Sequence, residues 1–217
     1  MVQKFNLTDI VDVSMLSTMT TPAVEPVAHN AASSRRRELV TSAAGLFVRY
    51  GFRKTSMDDI ARASKLSRQG LYLHFRNKED AFRAVIEHLA GVTLLALRTA
   101  LAADGRQLDE RLLAAFVSMT EAAVGSADPR SMRELFDAAR ELAGDLVQQL
   151  DEQIVLALAG TLKQARRGRE RGEPSPRALA ELLYATSYGL QHRGHGGDDY
   201  LSRMRVAIRV VCKSEGL

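Results

Sequence analysis

The stretch SRQGLYLHFRNK, from Ser67 to Lys78, combines side chains that recognise nucleic acids. Arg68 and Gln69 are of the two types that form paired hydrogen bonds with the edges of guanine and adenine, respectively. Leu71 and Phe75 are four residues apart, as apolar residues on one face of a helix are. The stretch therefore predicts a helix with one buried face and one polar face that contacts an external partner.

The residues before this stretch predict a second short helix and a turn. Ser56 is a candidate N-cap, and Asp59 lies three residues on, at the reciprocal position of a capping box. The segment Lys65-Leu66-Ser67 then forms a turn, and Ser67 caps a helix that extends to about Phe75. Two short helices joined in this way predict a helix-turn-helix, whose second helix enters the major groove of DNA.

Within this helix-turn-helix, two groups of contacts to DNA are expected. Base edges are read from the outward face of the second helix, and phosphates are bound by polar groups around it. The predicted base contacts are Arg68, Gln69, Gly70 and Leu73. The predicted phosphate contacts are Thr55, Ser67, Tyr72, His74 and Lys78. For Arg35, Arg36 and Arg37, a solvated start of the first helix is favoured over an arm in the minor groove.

The charge distribution supports an anionic partner for this region. The 217-residue chain carries a net charge of +4, but residues 35–88 contain twelve Lys and Arg against six Asp and Glu. The composition is that of a globular protein, and a lone cysteine, Cys212, is consistent with a reducing cytoplasm. We expect neither a secretory signal nor a membrane-spanning segment. An internal translation start at Met15 or Met19 is a further hypothesis.

The apolar periodicity predicts an all-α fold with three regions. Residues 1–33 are interpreted as a flexible N-terminal arm, 34–81 as a DNA-binding domain, and 82–217 as a second helical domain. Helices are expected from Ser34 to Gly51, from Lys78 to about Ala103, from Asp109 to Val124, after Pro129, from Asp145 to about Arg171, and in two segments after Pro176. No alternating strand pattern is present.

The segment TSMDDIARASKLSRQGLYLHFRNKEDAF, from Thr55 to Phe82, resembles the DNA-binding signature of the TetR/AcrR family of transcriptional regulators. The resemblance extends over about Arg35 to Ile86. It departs from the family pattern at Ser64-Lys65, where Ala-Gly is usual, and a non-glycine there predicts either an unusual backbone angle at Lys65 or a slightly different turn. It also departs at Gly70, where two interpretations stay open: close approach of the backbone to DNA, or a loose helix.

This resemblance implies a ligand-sensing and dimerisation domain in the C-terminal half. The implied partners are a double-stranded DNA operator, a second copy of the chain and an unidentified small-molecule effector. The candidate pocket residues are Phe116, Met119, Thr120, Phe136, Arg140, Gln153, Tyr184 and Tyr188. The candidate dimer-interface residues on the last two helices are Leu179, Leu182, Leu183, Thr186, Val206 and Val210. An inward-facing Arg140 would favour an anionic ligand.

The expected function is that of a repressor that binds a palindromic operator as a dimer and leaves it when ligand binds. An activator, a regulator without a ligand and a non-specific DNA-binding protein stay open as alternatives. We expect no catalytic residues, no cofactor and no metal. A metal site at His192, His195, Asp198 and Asp199 is the weaker alternative. The basic run from Lys163 to Arg171 is interpreted as a solvated helix end.

Overall fold

A computed structural model describes residues 27–124, 129–166, 174–192 and 197–214. Within these ranges all regular secondary structure is α-helical and no strand occurs, as the all-α prediction requires. The helices are α1 (Val27–Lys54), α2 (Met57–Ala63), α3 (Arg68–Tyr72), α4 (Lys78–Leu101), α5 (Leu108–Val124), α6 (Pro129–Leu142), α7 (Gly144–Ala165), α8 (Pro176–His192) and α9 (Gly197–Ser214).

The helices form two compact units. Of the described residues, unit 1 comprises those up to His88 together with those between Val124 and Ala143, and unit 2 comprises Leu89–Ala123 and those from Gly144 onward. These compact units differ from two consecutive regions divided at residue 82, and the functional division at that residue stays a prediction. The difference arises from α6, which packs against α1 instead of joining the helices that follow it.

Helix α1 differs from its prediction at both ends. It begins at Val27, seven residues before the predicted start at Ser34, so the end of the predicted flexible arm is helical. At Gly51 the backbone leaves the helical region, with φ 78° and ψ 168°, and one more turn follows to Lys54. The predicted stop at Gly51 is thus a kink, beyond which Phe52 packs against Phe82.

The core of unit 1 brings together residues from all of its helices. The ring of Phe47 on α1 meets that of Phe82 on α4 edge-on, with centroids 5.1 Å apart. Leu71 on α3 and Phe75 after it are buried, as predicted for the inward face of this segment. Burial of this face fixes which side of α3 is exposed.

By length and composition alone, helix α4 would be able to cross a membrane, which the sequence analysis did not anticipate. The same helix contributes Phe82 and Val85 to the core of unit 1 and Leu97 and Leu101 to that of unit 2. A globular protein also contains such a long apolar helix when that helix packs into two cores.

The core of unit 2 is formed by α5, α7, α8, α9 and the second half of α4. Leu179 and Leu183, which were predicted for a dimer interface, are buried in this core. This assignment requires correction, because side chains that are fully packed within one chain have no surface left for a partner. A polar pair, Ser187 and Tyr200, lies in the same interior, with its hydroxyl oxygens 2.8 Å apart.

Candidate nucleic-acid interface

The predicted capping box at the start of α2 is present. The Ser56 side chain accepts a hydrogen bond from the N–H of Asp59, and the Asp59 carboxylate accepts one from the N–H of Ser56, at 3.0 Å. The hydrogen bonds from Ser56 hold the pKa of Asp59 below its ordinary value, since they stabilise the ionised carboxylate. This box fixes where the helix-turn-helix begins.

The turn between α2 and α3 contains an unusual backbone angle, which is one of the two alternatives expected from the sequence. Lys65 has φ 54° and is the one non-glycine residue with positive φ among those the structure describes. Its neighbour Ser64 is buried, and the Ser64 hydroxyl has no hydrogen-bond partner. The turn thus carries a strained backbone and an unsatisfied buried hydroxyl, at the two positions where the resembled family usually has Gly and Ala.

Helix α3 is shorter than predicted. It begins after Ser67, whose side chain accepts a hydrogen bond from the N–H of Gly70 at 3.0 Å, and it ends at Tyr72 instead of Phe75. The carbonyl of Leu71 accepts hydrogen bonds from the N–H groups of both His74 and Phe75, which tightens the chain into a turn. The predicted N-cap is confirmed, whereas the predicted end is three residues too late.

Gly70 has a role within α3 that the sequence did not indicate. A Cβ atom at this position would lie 3.3 Å from the Ser67 hydroxyl oxygen, closer than an ordinary contact. Because that oxygen caps the helix, a larger side chain at residue 70 would press on the cap. This intramolecular reason for glycine stands beside the two interpretations drawn from the sequence.

The outward face of α3 exposes four of the predicted DNA-contacting side chains. Arg68, Gln69, Tyr72 and Leu73 are all exposed, and Leu73 retains 86% of its accessible surface. A leucine this exposed has no packing role of its own, and it is suited to contact with a thymine methyl group. The structure therefore brings the proposed base-reading side chains to one surface.

Arg68 is held between two neighbours on this surface. Its Nη1 atom lies 3.3 Å from Oδ2 of Asp58 on α2, and its guanidinium carbon lies 5.8 Å from the centre of the Tyr72 ring. A hydrogen bond with the Tyr72 side chain, and then the negative charge of Asp58, raise the pKa of Arg68 above its ordinary value. The guanidinium is thus oriented before any partner binds, and Asp58 is a participant that sequence reasoning missed.

The five predicted phosphate contacts differ in how accessible their side chains are. Thr55 is only 3% exposed and its hydroxyl donates to the Gly51 carbonyl, so its side chain is not available to a phosphate. Lys78 donates from Nζ to the Phe52 carbonyl at 3.1 Å and lies over the Phe52 ring. His74 is half-buried, and the Ser67 hydroxyl serves as the cap of α3. Of the five residues, Ser67 and Tyr72 are exposed.

Two arginines of α1 hold the ends of the helix-turn-helix. Arg35 donates from Nη2 to the Ser64 carbonyl, at the end of α2, at a distance of 3.4 Å. Arg36 donates from Nη1 to the His74 carbonyl, after α3, at 2.9 Å, and its guanidinium lies over the Phe75 ring. A cation at a helix C-terminus is favourable for the helix dipole. These side chains are thus more than a solvated helix start.

The residues predicted for a ligand pocket do not form one group. Phe136 and Arg140 are in unit 1, on the exposed side of α6, whereas the other six are in unit 2. Because Arg140 is not buried, the argument for an anionic ligand lapses. Phe116 and Met119 are buried core residues. Two concavities, of about 460 and 470 Å³, lie in unit 1, and none of the eight predicted residues lines either.

Polar members of the predicted pocket have partners within unit 2. The Tyr184 hydroxyl donates to Asp151, and the Gln153 side-chain oxygen accepts a hydrogen bond from Arg98 at 2.8 Å. The Thr120 hydroxyl donates to the Phe116 carbonyl at 2.9 Å. These bonds explain how polar groups are accommodated beside the apolar core, and they leave the pocket assignment a prediction.

The remaining dimer-interface candidates are mostly at the surface. Leu182 is 55% exposed, and Val206 and Val210, one turn apart on α9, are 60% and 61% exposed. Thr186 is half-buried, with its hydroxyl donating to the Leu182 carbonyl. These three apolar side chains have no intramolecular cover that would account for them.

Only part of the alternative metal site lies among the described residues. The His192 side chain, His195 and the distal part of the basic run after Arg166 lie outside the described residues, as do residues 1–26. Asp199 pairs with Arg203 at 2.9 Å. In the described part of the chain, no three His, Cys, Asp or Glu side chains are grouped as metal ligands would be.

Comparison with known proteins finds sequence matches in the N-terminal region. Residues 39–85 match the family model described as bacterial regulatory proteins, tetR family. An uncharacterized HTH-type transcriptional regulator, YfiR of Bacillus subtilis, is 42% identical over 53 residues, which are 24% of this chain and 26% of that protein. The probable acrEF/envCD operon repressor of Escherichia coli is 40% identical over 47 residues, or 22% of this chain and 21% of that protein. These matches thus cover about a quarter of each relative.

Solved structures extend the similarity in fold to most of the chain. A TetR-family regulator from Mesorhizobium loti superposes with a TM-score of 0.68 at 18% identity, covering 84% of this chain and 97% of that one. SmeT, the repressor of the Stenotrophomonas maltophilia multidrug efflux pump SmeDEF, gives a TM-score of 0.60 at 21% identity over 82% of this chain and 89% of its own. SmeT also has a solved complex with triclosan. At these identities the likeness concerns the fold.

Proposed function

We propose that this chain is a transcriptional regulator of the TetR family of bacterial regulatory proteins and that it reads a specific DNA sequence through α3. The observation that carries the proposal is the exposed group of Arg68, Gln69, Tyr72 and Leu73 on a helix whose other face is buried. A solvated helix face has no need of an 86% exposed leucine between an arginine, a glutamine and a tyrosine.

Different residues have different roles in this proposal. Arg68 donates to a guanine and Gln69 pairs with an adenine, while Leu73 contacts a thymine methyl group. Tyr72 binds a phosphate, with His74 and Lys78 at the margin of the surface. Thr55 contributes through local structure, because its hydroxyl already donates to the Gly51 carbonyl. Ser67 accepts a hydrogen bond as the cap of α3 and still has its O–H group to donate to a phosphate. The excess of basic residues between 35 and 88 attracts DNA irrespective of its sequence.

A dimer that binds a palindromic operator is the form we propose for the active regulator. Two-fold symmetry presents two α3 helices to successive major grooves, with half-sites about one helical turn apart. The exposed Leu182, Val206 and Val210 supply the apolar surface that a second copy would cover. We accordingly assign the residues up to 81 to DNA binding and those from 82 onward to dimerisation and sensing, with α6 as an addition to the DNA-binding unit.

Repression relieved by a small molecule is the regulatory mode we propose, by analogy with two similar proteins. The Escherichia coli relative is a probable operon repressor, and SmeT is a repressor for which a triclosan complex is known. Helix α4 has residues in both compact units. A ligand in unit 2 that displaces α4 would therefore also affect unit 1. Linkage requires that operator DNA weakens ligand binding by the same factor. The protein would act in the cytoplasm, beside its DNA.

Selection of duplexes from a random pool, at near-physiological salt, tests this proposal. The wild-type protein should recover a palindrome, and Arg68→Ala and Gln69→Ala should each flatten the base preference at a different position. Arg106→Ala, which removes an exposed arginine in the loop between α4 and α5, is the matched control and should leave the motif intact. Recovery of no motif by the wild-type protein would contradict sequence-specific binding.

A further inference from the structure

We infer that Asp58 is a specificity-determining residue of the DNA-reading surface, because it positions Arg68 for one base and repels the phosphates of all DNA, so that DNA without that base binds weakly. The inference rests on the proposed function. Asp58 lies in the first turn of α2, ten residues before Arg68, and the two side chains meet at 3.3 Å between Oδ2 and Nη1. The contact joins the two helices of the helix-turn-helix.

Asp58 is not part of the capping box of α2, although its charge in the first turn is favourable for the helix dipole. The capping box that begins this helix uses Ser56 and Asp59, and the latter also lies near Arg62. The Asp58 carboxylate instead turns to the exposed surface on which Arg68 lies, and both side chains remain more than half exposed. Its contact with Arg68 is therefore separate from the capping box that begins α2.

The geometry leaves Arg68 able to bind a base while Asp58 holds it. A guanidinium has five N–H donors, and the Asp58 contact occupies Nη1. Tyr72 lies one turn further along α3 and covers the guanidinium with its ring, 5.8 Å away. With two sides restrained, the remaining donors point in few directions, and a paired contact with the N7 and O6 atoms of guanine needs such restraint.

The Asp58 carboxylate also has a second effect, which is to weaken the affinity for DNA. An exposed negative charge beside Arg68 is repelled by every phosphate that approaches, whatever the sequence. At the operator, the guanine contact of the positioned Arg68 outweighs this repulsion, while at other sequences it does not. Removal of the Asp58 charge should therefore tighten binding to unrelated DNA and weaken discrimination at one base position.

The experiment compares the full-length wild type with Asp58→Ala and Asp58→Asn at one fixed salt concentration. Each protein is used in selection from a random pool, and its affinities for the wild-type motif and for an unrelated duplex are then measured. We expect the ratio of the two affinities to fall about tenfold in Asp58→Ala, the range in which one base contact discriminates. Asp58→Asn, which keeps an acceptor for Arg68 but loses the charge, should bind unrelated DNA more tightly and retain more of the base preference.

Two comparisons make the result specific. Glu87→Gln neutralises another exposed carboxylate of unit 1, on α4, and should leave the affinity ratio unchanged. Arg68→Ala should flatten the same base position as Asp58→Ala, and the double variant should lose no more discrimination than Arg68→Ala alone. This shared position is a readout that a general loss of structure would not give.

The alternative outcomes separate this inference from the proposed function. A wild-type motif that Asp58→Ala leaves intact would overturn the role of Asp58 and leave the proposed function standing. Equal loss of preference at all positions would also overturn it, because the substitution would then act through the fold. A wild-type protein that selects no motif would overturn both.

Discussion

The carboxylate of Glu134 occupies the space that a Cβ atom at Gly51 would fill. Its three terminal atoms would lie 2.7 to 2.8 Å from such an atom, and Oε1 accepts a hydrogen bond from the N–H of Arg53 at 3.1 Å. The Ser131 hydroxyl, on the same helix, donates to the Arg49 carbonyl at 3.3 Å. Helix α6 therefore contacts the kink of α1 directly, although the two bonded pairs are 81 and 82 residues apart in the chain.

Substitution of Gly51 should destabilise unit 1 more than any other glycine substitution in α1. At φ 78° and ψ 168° residue 51 occupies a region that is essentially reserved for glycine, and an alanine there would also meet the Glu134 carboxylate. We expect Gly51→Ala to lower the free energy of unfolding by about 3 kcal/mol, as the backbone strain and the displaced carboxylate combine. Urea unfolding followed by circular dichroism measures the change.

Two further variants divide this effect into its parts. Gly45→Ala, in the same helix with open space around its Cβ position, should instead stabilise the protein by about 0.5–1 kcal/mol. Gly51→Ala combined with Glu134→Ala should recover the steric part of the loss but not the backbone part. A neutral Gly51→Ala would show that the kink at Gly51 is not required.

Ser64→Ala should stabilise the helix-turn-helix. The Ser64 hydroxyl is buried and has no hydrogen-bond partner, so it has lost its hydration without compensation. Its removal should raise the free energy of unfolding by about 1 kcal/mol. Hydrogen exchange of the α2 and α3 amides should slow accordingly. Slower exchange in wild type than in Ser64→Ala would indicate a partner for the hydroxyl, such as a bound water.

Lys65→Gly should also stabilise this turn, for a different reason. Lys65 is held at φ 54°, where an L-residue is strained by about 1–2 kcal/mol. Glycine removes the strain but adds flexibility to the unfolded chain, so a net gain of about 0.5–1 kcal/mol is expected. The midpoint of urea unfolding measures it, and Lys54→Gly, in a helical turn, is the control that should destabilise. Loss of stability in Lys65→Gly would show that a contact of the lysine outweighs the strain.

The start of α2 should weaken in acid. Its hydrogen bonds with Ser56 lower the pKa of Asp59 in the folded state, so below the ordinary value of 3.8 the unfolded chain binds more protons than the folded one. The stabilisation is therefore complete above that value and is lost as the pH falls through the folded pKa. Amide exchange of α2, compared at pH 3 and pH 6, should show this loss in wild type and a smaller pH dependence in Asp59→Asn. Equal pH dependence in both proteins would contradict it.

The sequence was most informative where a structure is specified within a few residues. The Ser56–Asp59 capping box, the Ser67 cap and the positive φ at Lys65 each depend on neighbours fewer than five positions away. For Lys65 the sequence left two alternatives, an unusual backbone angle or a different turn, and the structure has the first, which the resembled family's usual glycine adopts freely. Local hydrogen-bonding chemistry thus accounts for the accuracy of these predictions.

Contacts between distant residues were not predictable in this way. Glu134 meets the Gly51 kink, and Arg36 meets the His74 carbonyl, because of how helices pack, and periodicity does not indicate which helices will be neighbours. The same limit applies to Leu183, whose apolar character is compatible with both a core and an interface. Asp58 was missed because its partner, Arg68, lies on another helix.

Dimerisation should depend on the exposed apolar side chains of α8 and α9. Leu182→Glu and Val206→Glu each place a charge on a surface that we propose a second copy covers, where an unpaired carboxylate would be desolvated. Both variants should keep their helical content but sediment as monomers at concentrations where the wild type is a dimer. Leu95→Glu, at a leucine of α4 that is 66% exposed, is the matched control and should still dimerise. Because the palindrome needs two copies, the monomeric variants should also bind the operator more weakly than the control, and a dimeric Val206→Glu would move the interface away from α9.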